Sequence, residues 1–332
     1  MAHQIYEQSP INTDPREQRN YQMYSHSGRS RTPRLIRNLA LTLIILGAIA
    51  TGLTFYGLTA PRTAAILPEH TFNVSGHTEL IVNNDAGSIH IHSASTNSIV
   101  VHGTKYASGI GPDVNAIDVQ YEQQGNSVFV TSKEGWGIAG SRSVDLDITV
   151  PTSLDVKVAN ASGSITIDNV TGNVAASTMS GGINAENVNG EMSLSTVSGG
   201  IQVHQAQLHG PSVLKAGSGG IDIDNVSGEM TLSAASGGIQ AHQVQLHGSS
   251  VLKTDSGDIN FTGSLDQQGN YRMETASGGI HLTLPANTSF HLDASTISGH
   301  VTNDFGTTTT GDAPQPDLSL HADSGSITVN KQ

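Results

Sequence analysis

Fifteen histidines and 28 acidic residues in a chain of 332 with no cysteine restrict any ligand chemistry to imidazole and carboxylate. Asp168, Glu186, His204, Asp224 and His242 recur at intervals of 18, 18, 20 and 18 residues. If each interval is one turn of a repeating structure, these side chains line one outward edge, carboxylates beside imidazoles. Such a strip could hold a divalent ion or respond to pH. A solvated edge is the simpler reading, so no metal is assigned and no cofactor is expected. His204 and His242 are equivalent positions, as are His209 and His247, but two turns apart they would stand about 9.6 Å from each other, too far to share an ion. His90 and His92 share a strand face and supply half a site, with no third ligand evident.

Catalysis is less well served. A polysaccharide-acting β-helix enzyme, the alternative to a binding role, needs two carboxylates at a defined separation. Asp222 with Asp224, and Asp255 with Asp258, are the available pairs, and surface aspartates are commonplace in an acidic chain. No nucleophile elbow, phosphate loop or zinc signature occurs, so no catalytic residue is assigned. Calcium binding through GGxGxDxUx nonapeptides needs Asp at the sixth position. Ala185, Leu194, Val203, Ile223 and Leu232 stand there, which excludes that mechanism.

The elements that position these residues are written in a nine-residue unit. NVNGEMSLSTVSGGIQVHQAQLHG from Asn187 returns as NVSGEMTLSAASGGIQAHQVQLHG from Asn225. Both are built from [S/N/T]-G-x-[I/V/M]-x-apolar-x-x-apolar, two units per turn of 18 to 21 residues. Position four (Ile165, Ile183, Ile201, Ile221, Ile239, Ile259, Ile280) and position six lie two apart, on one face of a strand, and position five points away. The glycine at position two supplies a corner. At position eight the amides Asn169, Asn187, Gln205, Asn225 and Gln243 recur, suited to bonding along a column. No single turn buries its apolar face alone, so the turns must stack. The expected fold is all-β, a parallel β-solenoid or β-helix of such turns, regular over 151–332 and irregular over 70–150.

Charge divides the chain. Residues 1–37 carry six Arg against three acidic residues, whereas 59–332 carry nine basic against 25 acidic, about +3 and −16. Between them Leu39 to Ala60 is uncharged over 22 residues, roughly 33 Å as a helix, one bilayer core. The expected organisation is a disordered cytoplasmic tail over 1–37, a transmembrane helix over 38–60 and a linker over 61–69. The arginines crowd the N-terminal flank, so the positive-inside rule gives a single-pass membrane protein with a cytoplasmic N-terminus and an extracytoplasmic remainder. An acidic remainder repels phosphate, and nucleic acid is excluded as a partner.

The phrase ITVPTSLDVKVANASGSITI, followed by serial SGGI turns, resembles a bacterial domain-of-unknown-function family known as "putative adhesins" over about residues 70–330. The resemblance implies short repeated strands behind a membrane span, and work at the cell envelope as an adhesin or an envelope-stress module. It carries no catalytic motif. The partners it implies are cell-surface or envelope proteins or glycans. SGSITVNKQ closes the chain without a visible cap, so self-association through an open terminal edge at residues 322–332 is a further expectation.

Overall fold

The computed structural model describes residues 47, 51, 62–109, 113–134 and 140–332. The expected tail and most of the expected membrane segment therefore lie outside the described residues, and among those described no helix is long and apolar enough to cross a membrane. The described residues from 62 onward belong to one compact unit.

Within it, each turn gives one strand to a 15-stranded sheet and the next to a 13-stranded sheet. The strands Ile165–Asp168, Ile183–Glu186, Ile201–Leu208, Ile221–Gly228, Ile239–Leu246, Ile259–Leu265 and Ile280–Leu284 lie side by side in the first sheet, parallel and in register. Register follows from the pattern, because a slip of one residue would turn the isoleucines into water. Instead Ile165, Ile183, Ile201, Ile221, Ile239, Ile259 and Ile280 are each at most 1% exposed. They meet Val174, Met192, Leu194, Leu214, Leu232 and Leu252 of the other sheet in one continuous core. A fully buried side chain of this kind contributes about 1.5–3 kcal/mol.

The corners explain the glycines and amides. Asn169, Asn187, Gln205, Asn225 and Gln243 all have φ between 52° and 61°. Among the described residues these are the non-glycine positions in the left-handed region, which Asn enters more readily than most side chains. The Asn187 side-chain amide donates to Asn169 Oδ1 at 2.8 Å, so among the described residues the expected bonding along the column is made at one step, and what all five positions share is the backbone conformation. Asn187→Val is accordingly expected to cost about 1–2 kcal/mol while Asn187→Gly stays within about 0.5 kcal/mol of the parent, read from urea midpoints.

Corner carbonyls that no strand can reach are met from inside. The buried hydroxyls of Thr178, Thr196, Thr254 and Thr275 donate to the carbonyls of Gly163, Gly181, Gly237 and Gly257 at 2.8 to 3.2 Å. Thr196→Val keeps the shape and strands the Gly181 carbonyl, so a loss of about 1–3 kcal/mol is expected on the same denaturation assay. The 20-residue turns carry two extra residues, and there Ser212 and Ser250 enter the core column in register with Met230 and Tyr271. Their hydroxyls accept the backbone N–H groups of Met192 and Met230 at 2.9 and 3.1 Å.

Both ends of the stack depart from the sequence reading. Residues 61–69 are not simply a linker, since Thr63–Ile66 pairs antiparallel with Ser98–Ala107. Residues 70–150 do hold two solenoid turns, but out of chain order. The turn of Glu79–Ala86 and Ile89–Ala94 lies between the turn of Ser127–Glu134 and Arg142–Pro151 and the turn of Asp155–Ser162 and Ile165–Asp168. Antiparallel strands His70–Asn73, Ser98–Ala107 and Ile117–Gln124 flank that end.

The C-terminal end mirrors this inversion. Asp317–Ser324 is inserted between Asn270–Ser277 and Phe290–Ser298, and Ile327–Lys331 between Ile280–Leu284 and Val301–Asn303. The last strand is thus paired on both sides, and the expectation of an open edge at residues 322–332 is corrected. At this end the edge of the first sheet is Val301–Asn303. A locally repeating pattern specifies that turns stack; the order in which the end turns do so depends on the long connections at 95–126 and 299–316.

Candidate functional site: the outward face of the long sheet

Positions five and seven of each turn point away from the core and make two parallel polar columns on the 15-stranded sheet. The position-seven residues fall in the expected line: Asp168, Glu186, His204, Asp224 and His242 are consecutive cross-strand partners. They are half-buried or exposed, a solvated edge with neighbouring residues one strand apart. Among the described residues these five do not gather three ligand atoms around a common point. Position five reads Thr166, Asn184, Gln202, Asp222, Gln240 and Asn260 across successive strands.

Beside position five, position three is glycine in four consecutive turns, Gly182, Gly200, Gly220 and Gly238. With no side chains there, the surface sinks into a trench of about 560 Å³ running across the strands from Ser164 to Gly238. Its lining includes Thr166, Asn184, Gln202, Asp222 and Gln240. Hydroxyl, amide and carboxylate groups thus repeat at the strand spacing of about 4.8 Å along an open groove. Such a surface offers one chemistry many times over. It suits an extended, repetitive ligand better than a compact molecule held from all sides.

At the N-terminal end of the same face, the half-site of His90 and His92 acquires a third group. Asp147, on Arg142–Pro151, is the direct cross-strand neighbour of His90. Its Oδ1 lies 3.7 Å from His90 Nδ1 and 3.1 Å from His92 Nδ1. Both opposite ring nitrogens are held from behind: His90 Nε2 is 2.8 Å from Asp168 Oδ2 and His92 Nε2 is 3.0 Å from Thr149 Oγ1. The two rings stand 5.0 Å apart, tilted by 37°. Asp168, expected as a member of the position-seven strip, thus works with His90 across the strand boundary.

Sequence reasoning missed Asp147 because it lies 57 residues beyond His90 and is brought alongside by the inverted stacking of the first turns. The available signal was DLDIT from Asp145, whose alternate acids must share a strand face. The other aspartate pairs considered for catalysis remain apart in role. Asp222 and Asp224 stand on the solenoid face at positions five and seven, and Asp258 Oδ1 accepts the backbone N–H of Gly279 at a corner.

Comparison with curated proteins finds no match. Among solved structures, a putative cell adhesion protein of Clostridium sporogenes shares 12% identity, with 82% of this chain and 100% of that chain covered and a TM-score of 0.24. A putative adhesin of Bacteroides fragilis shares 12% identity, with 80% and 97% covered and a TM-score of 0.35. Likenesses this distant carry neither a ligand nor a role. The match to a family model is of another kind, since it spans residues 77–267, from the first solenoid strand to the end of Ile259–Leu265 in the regular repeats. The chain belongs to the Toastrack DUF4097 family.

Proposed function

We propose that this chain is a single-pass membrane protein, N-terminus inside, that presents its β-solenoid outside the cell as a binding surface for envelope or cell-surface material, without chemical turnover. The uncharged stretch Leu39 to Ala60, flanked by arginines on its N-terminal side, supports the anchor and its orientation. The observation that carries the binding role is the glycine-floored trench walled by Asn184, Gln202, Asp222 and Gln240. Polar groups repeated in register can grip a polymer whose own units repeat, as a glycan strand does. Each contact is weak, and their number along one groove makes the attachment firm.

The experiment fills the trench. Gly182 has room for a Cβ, 3.4 Å from the nearest atom, and its φ lies outside the left-handed region. Gly182→Trp should keep the circular dichroism of the parent and lose at least tenfold in retention of cell-wall material by the purified full chain. Retention equal to the parent's would remove the trench from the account. New reducing ends or unsaturated products from the retained material would replace binding with enzymology.

A second surface has its own support. Ile297 is 78% exposed and Val301 43% exposed at the end of the stack where Val301–Asn303 forms the open edge. Unpaired backbone groups beside exposed apolar side chains are the conditions for strand addition by another chain. Self-association, if it occurs, therefore belongs to Val301–Asn303 and not to the final residues.

A further inference from the structure

We infer that His90, His92 and Asp147 form a binding site for a first-row divalent transition metal of the zinc class, with Asp168 as the carboxylate that positions His90. The starting point is proton accounting. A carboxylate only accepts, so the 2.8 Å contact to Asp168 Oδ2 requires the proton of a neutral His90 to be on Nε2. Nδ1 of that ring then presents a lone pair toward Asp147 Oδ1. His92 Nδ1 lies 3.1 Å from the same oxygen, is cut off from solvent and makes no hydrogen bond. When His92 in turn donates its Nε2 proton to Thr149 Oγ1, two nitrogen lone pairs and a carboxylate converge on one point, an arrangement that a cation among them stabilises.

The spacing suits a metal. Ligands at about 2.0–2.1 Å from a tetrahedral ion stand about 3.3 Å from each other. The two measured nitrogen to oxygen separations, 3.1 and 3.7 Å, bracket that value, and all three ligand atoms lie within 4.8 Å of one another. The support behind the ligands is also of the expected kind. A metal-bound histidine typically donates its other N–H to a carboxylate or another oxygen, which orients the ring, and Asp168 and Thr149 stand in those places.

Donor type sets selectivity. Two imidazoles and one carboxylate favour Zn²⁺, Ni²⁺ or Cu²⁺, whereas Ca²⁺ and Mg²⁺ prefer all-oxygen sets. A parallel pair of flat strands holds the three donors on one side, and Asp147 is exposed. The remaining position of the ion faces solvent, where water or a donor from a bound partner completes the shell. This inference does not depend on the trench and would survive its loss.

The test is calorimetric titration of ZnCl₂ into the full chain, purified in detergent without a polyhistidine tag, with Co²⁺ absorption as a second readout. One equivalent should bind with micromolar affinity, and Co²⁺ should give the visible bands of a low-coordinate site. His92→Ala and Asp147→Asn should each weaken binding at least tenfold, and Asp168→Asn, which touches no metal, by about tenfold. The double variant His204→Ala, His242→Ala should bind like the parent. Circular dichroism reports whether each variant keeps its strands. Absence of Zn²⁺ binding in the parent would overturn the site and leave a pair of imidazoles packed against Asp147 and Asp168. Binding that persists undiminished in His92→Ala, or that disappears with His204 and His242, would overturn it equally.

Discussion

Gly181→Ala will destabilise the β unit by about 3 kcal/mol or more, while Gly182→Ala, the next residue, will shift stability by less than about 1 kcal/mol. The two glycines look interchangeable in SGGI, yet they do different work. Gly181 has φ +143°, and a Cβ there would stand 2.2 Å from the carbonyl oxygen of Gly163 in the turn below. That oxygen belongs to backbone already paired in the stack, so neither partner can retreat without breaking register. Gly182 has no such φ, and its added Cβ meets the Gly200 oxygen at an ordinary 3.4 Å. Urea midpoints followed by circular dichroism distinguish the two, and equal losses at both positions would show that the corner is not built as described.

Ile201→Ala is the second large effect, with an expected loss of about 3–4 kcal/mol against less than about 0.5 kcal/mol for Gln202→Ala. Ile201 is fully buried and sits between Ile183 and Ile221 in the column. Truncation leaves a cavity that flanking turns cannot close, because moving one strand inward would pull its neighbours out of hydrogen-bonding distance. Gln202 points to water from the adjacent position. In a stack stabilised by neighbour contacts the damage should spread locally, so hydrogen exchange should rise first in the turns around residues 183 and 221 and last in the turns at residues 91 and 327.

The regular repeats are legible in the sequence because each turn solves the same problem. Ile183, Ile201 and Ile221 are identical because they occupy identical surroundings, and Asn169, Asn187 and Asn225 recur because one backbone conformation recurs. What the sequence leaves unread is the order of the end turns. Nothing local to Ile327–Lys331 says that it slips between Ile280–Leu284 and Val301–Asn303, since either neighbour would bury Ile327 equally well. The same inversion at the other end puts Asp147 beside His90 and converts half a site into three converging ligands. The position-seven strip was readable as a line of residues for the same reason that the core was. Its member Asp168 acquired a partner only through a strand from outside the repeat.

Nitroxide labels at paired cysteines test the stacking itself, and the parent chain contains no cysteine to interfere. Glu186 and His204 are direct cross-strand partners, whereas Glu186 and His242 lie three strands apart. Labels at 186 and 204 should therefore sit about 4.8 Å apart at the backbone and give strong dipolar broadening, and labels at 186 and 242, about 14 Å apart, should give little. Narrow lines from the first pair, or equal broadening from both, would mean that consecutive turns do not lie in parallel register, and the columns, the trench and the end-turn inversions would fall with it.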